Sequence, residues 1–218
     1  MFNYFKSKII LHLEQLLNKD KQDVQDAYLA AAFDEALRQV KRFNPNYTKL
    51  SIAMNTLGLA YDRLGNDEQA LAYFKLSLEI EQILHKDEAH EDLARALSNV
   101  GLFYGRLGNY EQSLAYFKSA LTMCQVIYKD EAHEDLAKIL SYVGLTYGHL
   151  GNDEQALQYF TLSLEMHQIL HKGEAHKDVV EALNNVGIAY SRLGNYIESF
   201  RCDRKAFEVQ QALDKEKC

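Results

Sequence analysis

Only three cysteines occur in the 218 residues, Cys124, Cys202 and Cys218. The number is odd, the spacing is not that of metal ligands, and the flanking segments read as helix. Such usage belongs to a reducing compartment, most simply the cytoplasm. Long apolar runs are lacking as well. In the opening MFNYFKSKIILHLEQLL the longest is Ile9-Ile10-Leu11, followed at once by His12 and Glu14, which excludes a signal peptide and a membrane span there. An excess of positive charge is also missing. The formal net charge is −7 and the pI about 5.6, so the general field repels phosphate backbones and anionic head groups. Neither nucleic acid nor membrane is the expected partner. There is no glycine-rich phosphate loop and no nucleophile elbow, and His-Glu-Asp-Leu-Ala at 90–94 is not HExxH. The acidic pairs Glu91-Asp92 and Glu134-Asp135 are adjacent residues that point different ways on a helix, not facing carboxylates. The expectation is a non-enzymatic protein with no catalytic residue, metal or cofactor.

What the chain does contain is repetition. GLAYDRLGN from Gly58 returns as GLFYGRLGN from Gly101, GLTYGHLGN from Gly144 and GIAYSRLGN from Gly187, each copy 43 residues after the last. A fixed period of this size marks stacked supersecondary units that contact mainly their neighbours. In the second copy Leu93, Ala96, Leu97, Val100, Gly101, Tyr104 and Leu107 recur at spacings of three and four, so they share one face of a helix, A. Gly108 can take the left-handed conformation that closes it. Asn109 can then cap a second helix, B, and Asn66, Asn152 and Asn195 hold the same place. Gln69, Gln112, Gln155 and Glu198, three residues on, suit the return bond of a capping box. Helix B, near 18 residues long, carries Leu114, Phe117, Leu121 and Cys124 or Gln125 as its buried stripe. The turns that follow, 85–90, 128–133 and 171–176, all end in Glu-Ala-His. The glycine in the middle of helix A costs roughly 1 kcal/mol against alanine, and close approach of helix B is the expected compensation.

These residues resemble the tetratricopeptide repeat: a large apolar residue, an apolar–glycine pair three on, tyrosine three after the glycine, then small, aromatic and small residues in helix B. The four sets are Met54, Leu57-Gly58, Tyr61, Ala70, Phe74, Ser77; Leu97, Val100-Gly101, Tyr104, Ser113, Phe117, Ala120; Leu140, Val143-Gly144, Tyr147, Ala156, Phe160, Ser163; and Leu183, Val186-Gly187, Tyr190, Ser199, Asp203, Ala206. Asp203 breaks the aromatic position. The period is nine residues longer than the usual 34, and the only proline is Pro45. In its longer helices and recurring turn the chain is similar to the long-repeat, kinesin light chain type, whose turn His-Pro-Asp-Val-Ala is matched by His90-Glu91-Asp92-Leu93-Ala94 and His133-Glu134-Asp135-Leu136-Ala137 with Glu in place of Pro, and more loosely by His176-Lys177-Asp178-Val179-Val180. The resemblance, over roughly 47–213, implies an all-α fold: a right-handed superhelical solenoid of tetratricopeptide-type hairpins with period 43 and a concave wall of A helices.

The organisation expected is a degenerate N-terminal helix pair over 1–45, serving as a cap, then four repeats over 46–218, at about 46–88, 89–131, 132–174 and 175–218. The first helix of the cap would span 2–17, with Phe2, Phe5 and Ile9 on one side, and the second about 22–43. At the other end Phe200, Phe207, Val209 and Leu213 call for cover. They read as a weak cap, a contact for self-association, or the junction to a longer chain.

If A helices line the groove, residues facing away from helix B become candidate binding positions. One row is Arg63, Arg106, His149 and Arg192; others contain Asn55 and Asn184, Asn99, Tyr142 and Asn185, and Arg95 and Lys138. In kinesin-light-chain-like repeats the Asn-Asn pair before the apolar–small pair lies in the cargo groove, and Asn184-Asn185 matches it. Asparagine pairs with the backbone of an extended peptide, while cations favour an acidic segment or a terminal carboxylate. The same cations also suit the last turn of a helix, and the asparagines a plain solvent-facing position. His90, His133 and His176 recur at equivalent places, so they read as turn packing, not as a metal site. The function expected is a scaffold or adaptor that binds a peptide segment of another protein. The alternatives are a sensing module of a larger signalling protein and a self-assembling solenoid.

Overall fold

The computed structural model describes residues 46–86, 88–129 and 131–216; the expected helix pair at 2–17 and 22–43, and Cys218, lie outside them. Every regular element among the described residues is an α-helix: α1 Tyr47–Arg63, α2 Asp67–His85, α3 Glu91–Arg106, α4 Tyr110–Tyr128, α5 Glu134–His149, α6 Asp153–Leu170, α7 Lys177–Arg192 and α8 Tyr196–Glu216. None of them is long and apolar enough to cross a membrane. The chain forms two compact units, 1–107 with α1–α3 and 108–218 with α4–α8.

The Leu-Gly-Asn turn closes one helix and opens the next with the same few atoms. Gly65 sits at φ +71° and donates to the Asp62 carbonyl at 2.9 Å, and Asn66 N–H donates to the Tyr61 carbonyl at 3.0 Å. This is the Schellman pattern, which needs a residue free to adopt positive φ. The Asn66 side chain meanwhile accepts from Gln69 N–H at 3.1 Å, as Asn152 does from Gln155 and Asn195 from Glu198. Each such cap stabilises by about 1 kcal/mol. The expected return bond of a capping box is not made at these three turns. The asparagine N–H is already committed backwards, to the carbonyls of Tyr61, Tyr147 and Tyr190.

Within the hairpins, glycine is required for contact. A Cβ at Gly58 would stand 2.8 Å from the Phe74 ring, and one at Gly144 the same distance from Phe160. The tyrosine three residues on lies flat against a helix B tyrosine: Tyr61 on Tyr73 at 5.4 Å, Tyr147 on Tyr159 at 5.5 Å. In the first unit Phe103 of α3 tilts onto Phe74 at 4.9 Å, and Met54, Leu57, Tyr73, Ile80 and Val100 complete a core closed to solvent. Each of these side chains contributes about 1.5–3 kcal/mol by burial. In the second unit Phe160 and Ala156 of α6 pack on Val186 and Ala189 of α7, and Val179 and Leu183 of α7 pack on Ala206 of α8. Leu157 and Leu164 of α6 lie against these clusters, whereas the matching residues of α8, Phe200 and Phe207, are 68% and 62% exposed.

The turns ahead of α3, α5 and α7 use histidine as a cap. Nδ1 of His90, His133 and His176 accepts from the N–H of Asp92, Asp135 and Asp178 at 3.2–3.3 Å. Each ring stacks on the residue five positions earlier, at 3.6 Å on His85, 3.6 Å on Tyr128 and 3.5 Å on His171. Turn packing, expected for the repeated histidines, is what these rings do.

Candidate functional site

Two clefts lie at matching places, one in each unit. The first is between α1 and α3 with α2 as floor. Thr48, Ser51, Ile52 and Asn55 form one wall, Asp92, Arg95 and Ala96 the other, and Ser77 and Glu81 the base, around about 220 Å³. The second, of about 160 Å³, has Lys138, Ser141, Tyr142 and Leu145 of α5 opposite Asp178, Glu181 and Ala182 of α7, with His167 of α6 beneath. Ile52 and Lys138, Asn55 and Ser141, Glu81 and His167, Asp92 and Asp178, and Arg95 and Glu181 are each two sequence periods apart. The backbone plan repeats and the chemistry changes.

In the first cleft the floor is a buried carboxylate. Ser51 donates its hydroxyl to Glu81 Oε1 and lies 3.0 Å from the Ser77 hydroxyl, which donates to the Ser51 carbonyl at 3.2 Å. His85 Nε2 stands 3.1 Å from Glu81 Oε2. The Ser51 hydroxyl thus meets Oε1, while Oε2 is buried without a hydrogen-bond partner and depends on the nearby imidazole to offset the cost of burying its charge. In the second cleft Ser141 and Ser163 lie 2.8 Å apart, and Ser163 donates to the Ala137 carbonyl at 2.8 Å. The floor there is His167, 5% exposed. Burial pushes its imidazole below the ordinary histidine value, against the pull of Asp178 and Glu181. The rings of His167, in the last turn of α6, and His171, which caps its C-terminus, are parallel with centroids 6.0 Å apart.

Of the residues selected from sequence, Asn55 and Arg95 line the first cleft and Lys138 and Tyr142 the second. Arg63, Asn99, Arg106, His149, Asn184, Asn185 and Arg192 do not line these two clefts. Asn99 Nδ2 donates to Asn55 Oδ1 at 2.9 Å, bridging α1 and α3. The cations mostly face carboxylates already. Arg95 pairs with Asp92, and Lys138 with Glu134 at 2.7 Å, a bond that raises the lysine and lowers the carboxyl from their ordinary values. Arg106 reaches Asp62 at 2.5 Å and Asp67 at 3.0 Å while covering the Phe103 ring at 4.8 Å. Arg192 donates to the Gly148 carbonyl at 3.1 Å and stands 3.6 Å from Asp153. His149 stacks on Tyr110 at 4.5 Å and Tyr142 on Phe117 at 5.1 Å. Asn184 is exposed and Asn185 half-buried on α7, and Arg63 is exposed at the end of α1.

Sequence reasoning passed over the cleft floors, Glu81 and His167, and the histidine pairs beside them. Histidines compared across repeats hold equivalent places, but within a single turn they do converge. Single ligand atoms of His85, His90 and Asp92, and likewise of His167, His171 and Asp178, lie within 4.8 Å of one another. The signal was available in the period read through helix B, where 81, 124 and 167 run Glu, Cys, His at one buried position.

Comparison with known proteins follows the same lines. One tetratricopeptide repeat family model matches residues 30–82 and 92–169, and a second tetratricopeptide repeat model matches 179–213. No curated protein matches the sequence. Among solved structures, BtubC (BKLC) from P. vanneervenii is similar with a TM-score of 0.78 at 18% identity, covering 97% of this chain and 90% of that one. A kinesin-light-chain-like protein of nearly identical TPR-like repeats from Podosopora anserina gives 0.75 at 14% identity, covering 94% and 96%. MamA gives 0.56 at 18% identity, covering 78% and 87%.

Proposed function

The chain belongs to the tetratricopeptide repeat family, an all-α fold of protein–protein interaction scaffolds, and we propose that each unit binds an extended segment of a partner protein in the cleft between its A-type helices, α1 with α3 in one and α5 with α7 in the other. The observation that supports this reading is the pair of clefts in matching register. Each mixes apolar wall with amide, hydroxyl and charged groups, as a surface for an extended peptide must. Asn55, held by Asn99, offers a donor and acceptor to a peptide backbone whatever its side chains. Asn184 and Asn185 would extend such pairing along α7. Because Arg95, Arg106, Lys138 and Arg192 already face oxygen atoms, an acidic segment would have to share or displace those partners. Charge then tunes selection more than it supplies affinity.

A peptide-display selection on the purified chain tests this, run beside Asn55→Ala/Arg95→Ala and Lys138→Ala/Tyr142→Ala variants, with Arg192→Ala as a variant outside both clefts. Enrichment of a motif by the parent and by Arg192→Ala, reduced in the variant of the cleft that binds it, is the expected result. A motif retained by both cleft variants sinks the reading and moves recognition to another surface.

A second reading rests on α8. Phe200 and Phe207 stand bare at the positions where α6 receives α7. An amphipathic helix of a second copy is the occupant that would cover them. Sedimentation at increasing concentration, with Phe200→Glu/Phe207→Glu as comparison, separates the two readings. Association lost in the variant supports self-assembly, and a parent that stays monomeric removes it.

A further inference from the structure

We propose that His167, His171 and Asp178 form a binding site for a first-row transition metal ion, with Zn²⁺ the best match to two imidazoles and a carboxylate. His167, in the last turn of α6, and His171, the residue that caps its C-terminus, are four positions apart with parallel rings, and the turn after α6 brings Asp178, in the first turn of α7, against them. One ligand atom from each lies within 4.8 Å of the other two, and Asp178 Oδ2 is 3.8 Å from His171 Nε2. Tetrahedral coordination at 2.0–2.1 Å needs ligand atoms about 3.3 Å apart, a closure within reach of small side-chain rotations.

Two further observations set this cluster apart from ordinary turn packing. Among the described residues, His167 Nδ1 and His171 Nε2 are buried with no hydrogen-bond partner, Asp178 Oδ2 standing too far from the latter to be one, so two desolvated nitrogen atoms face the cluster unmet. The cluster is also reached from outside, because His167 and Asp178 line the second cleft, where Glu181 or water can supply the fourth ligand.

The other turns act as internal controls. At the matching place in the first unit, His85 Nε2 stands 3.1 Å from the Glu81 carboxylate, and His90 Nδ1 is engaged by the N–H of Asp92. The corresponding end of α4 has Cys124 and Tyr128 where the end of α6 has His167 and His171. His176 likewise spends its Nδ1 on the Asp178 N–H, and so is a cap, not a ligand.

The test uses the full chain without affinity-tag histidines, titrated with Co²⁺ followed by its visible absorption and with Zn²⁺ by calorimetry. The variants are His171→Tyr, which copies the Tyr128 turn, Asp178→Asn, and His85→Tyr as the control. One equivalent bound by the parent and by His85→Tyr, weakened at least about tenfold in both ligand variants, is expected. A rise in parent Tm with Zn²⁺, absent in His171→Tyr, should accompany it. Absence of a Co²⁺ band and of Zn²⁺ heat in the parent overturns the proposal. So does undiminished binding in His171→Tyr and Asp178→Asn, or binding lost in His85→Tyr alone.

Discussion

The hairpins α1–α2 and α7–α8 share a backbone and differ in what fills it. Both begin with a helix that carries a mid-helix glycine, turn through Leu-Gly-Asn, and restart on an asparagine cap. In the first, the glycine admits the Phe74 ring, and Tyr73, Ile80 and Phe103 seal the interior. In the last, Asp203 replaces the phenylalanine, its carboxylate lies 3.0 Å from where the Gly187 Cβ would be, and the aspartate itself is exposed. The period therefore dictates where helices start and stop, and the residue at each register position decides whether that place is core, cleft or bare surface.

Removing the lock should have the largest effect. Phe74→Ala leaves a cavity beneath Gly58 and Phe103 and is expected to cost about 3–5 kcal/mol, whereas Asp203→Ala should stay within about 0.5 kcal/mol. Urea unfolding of each variant measures both. Equal costs at the two positions would mean that the glycine–phenylalanine contact is not what holds the hairpin.

Filling the glycine asks the same question from the other side. Gly144→Ala drives a methyl into the Phe160 ring at 2.8 Å and should destabilise by about 1–2 kcal/mol, even after the gain in helix propensity. Gly187→Ala meets the end of an exposed carboxylate at 3.0 Å and the Cys202 Cβ at 3.3 Å. The carboxylate can swing away, so the propensity gain nearly offsets the crowding and the change should stay under about 1 kcal/mol.

How much of this could be read from the chain depends on whether the cause was local. The helix ends were legible, since Gly65-Asn66 and its copies carry their own turn chemistry, and so was the close approach of helix B to the mid-helix glycine, which the Phe74 ring makes at Gly58. The missing return bond of the capping box was not, because it depends on the asparagine N–H being claimed by a carbonyl five residues back. Nor were the engagements of Arg106 and Arg192 legible, which reach into the preceding hairpin turn across 39–44 residues of chain. The cleft floors escaped for a related reason. Glu81 and His167 sit on an apolar helix stripe, where a polar residue looks like an interruption until Ser51 or His171 is placed beside it in space.

Where the two hairpins carry the same residue, they should respond alike. Asn66→Ala and Asn195→Ala each remove one side-chain acceptor from an N–H in the first helical turn, at 3.1 and 3.3 Å. Each is expected to cost about 1 kcal/mol. Hydrogen exchange at the Gln69 and Glu198 amides, faster in the matching variant only, checks that the loss is local. A large cost at Asn66 with none at Asn195 would show that the last hairpin frays before its cap matters.

The smallest effect should come from the turns after helix B. Lys86 and Lys129 sit at φ 53° and 54° with ψ −117° and −120°, a positive-φ region that L side chains rarely adopt, and the Glu88 and Glu131 amides donate to the carbonyls of His85 and Tyr128. A side chain in that region costs about 1–3 kcal/mol, and glycine removes the cost while adding freedom of about 0.5–1 kcal/mol to the unfolded chain. Lys86→Gly and Lys129→Gly are accordingly expected to stabilise by roughly 0.5 kcal/mol each, a rise in urea midpoint at unchanged slope. Lys75→Gly, inside α2, should lower it by about 1 kcal/mol and separates a turn effect from a general effect of glycine. A loss of stability in the turn variants would mean that the lysine backbone is held at positive φ by contacts worth more than the strain, and the turn would then belong with the Phe74 hairpin among the places where packing overrides local preference.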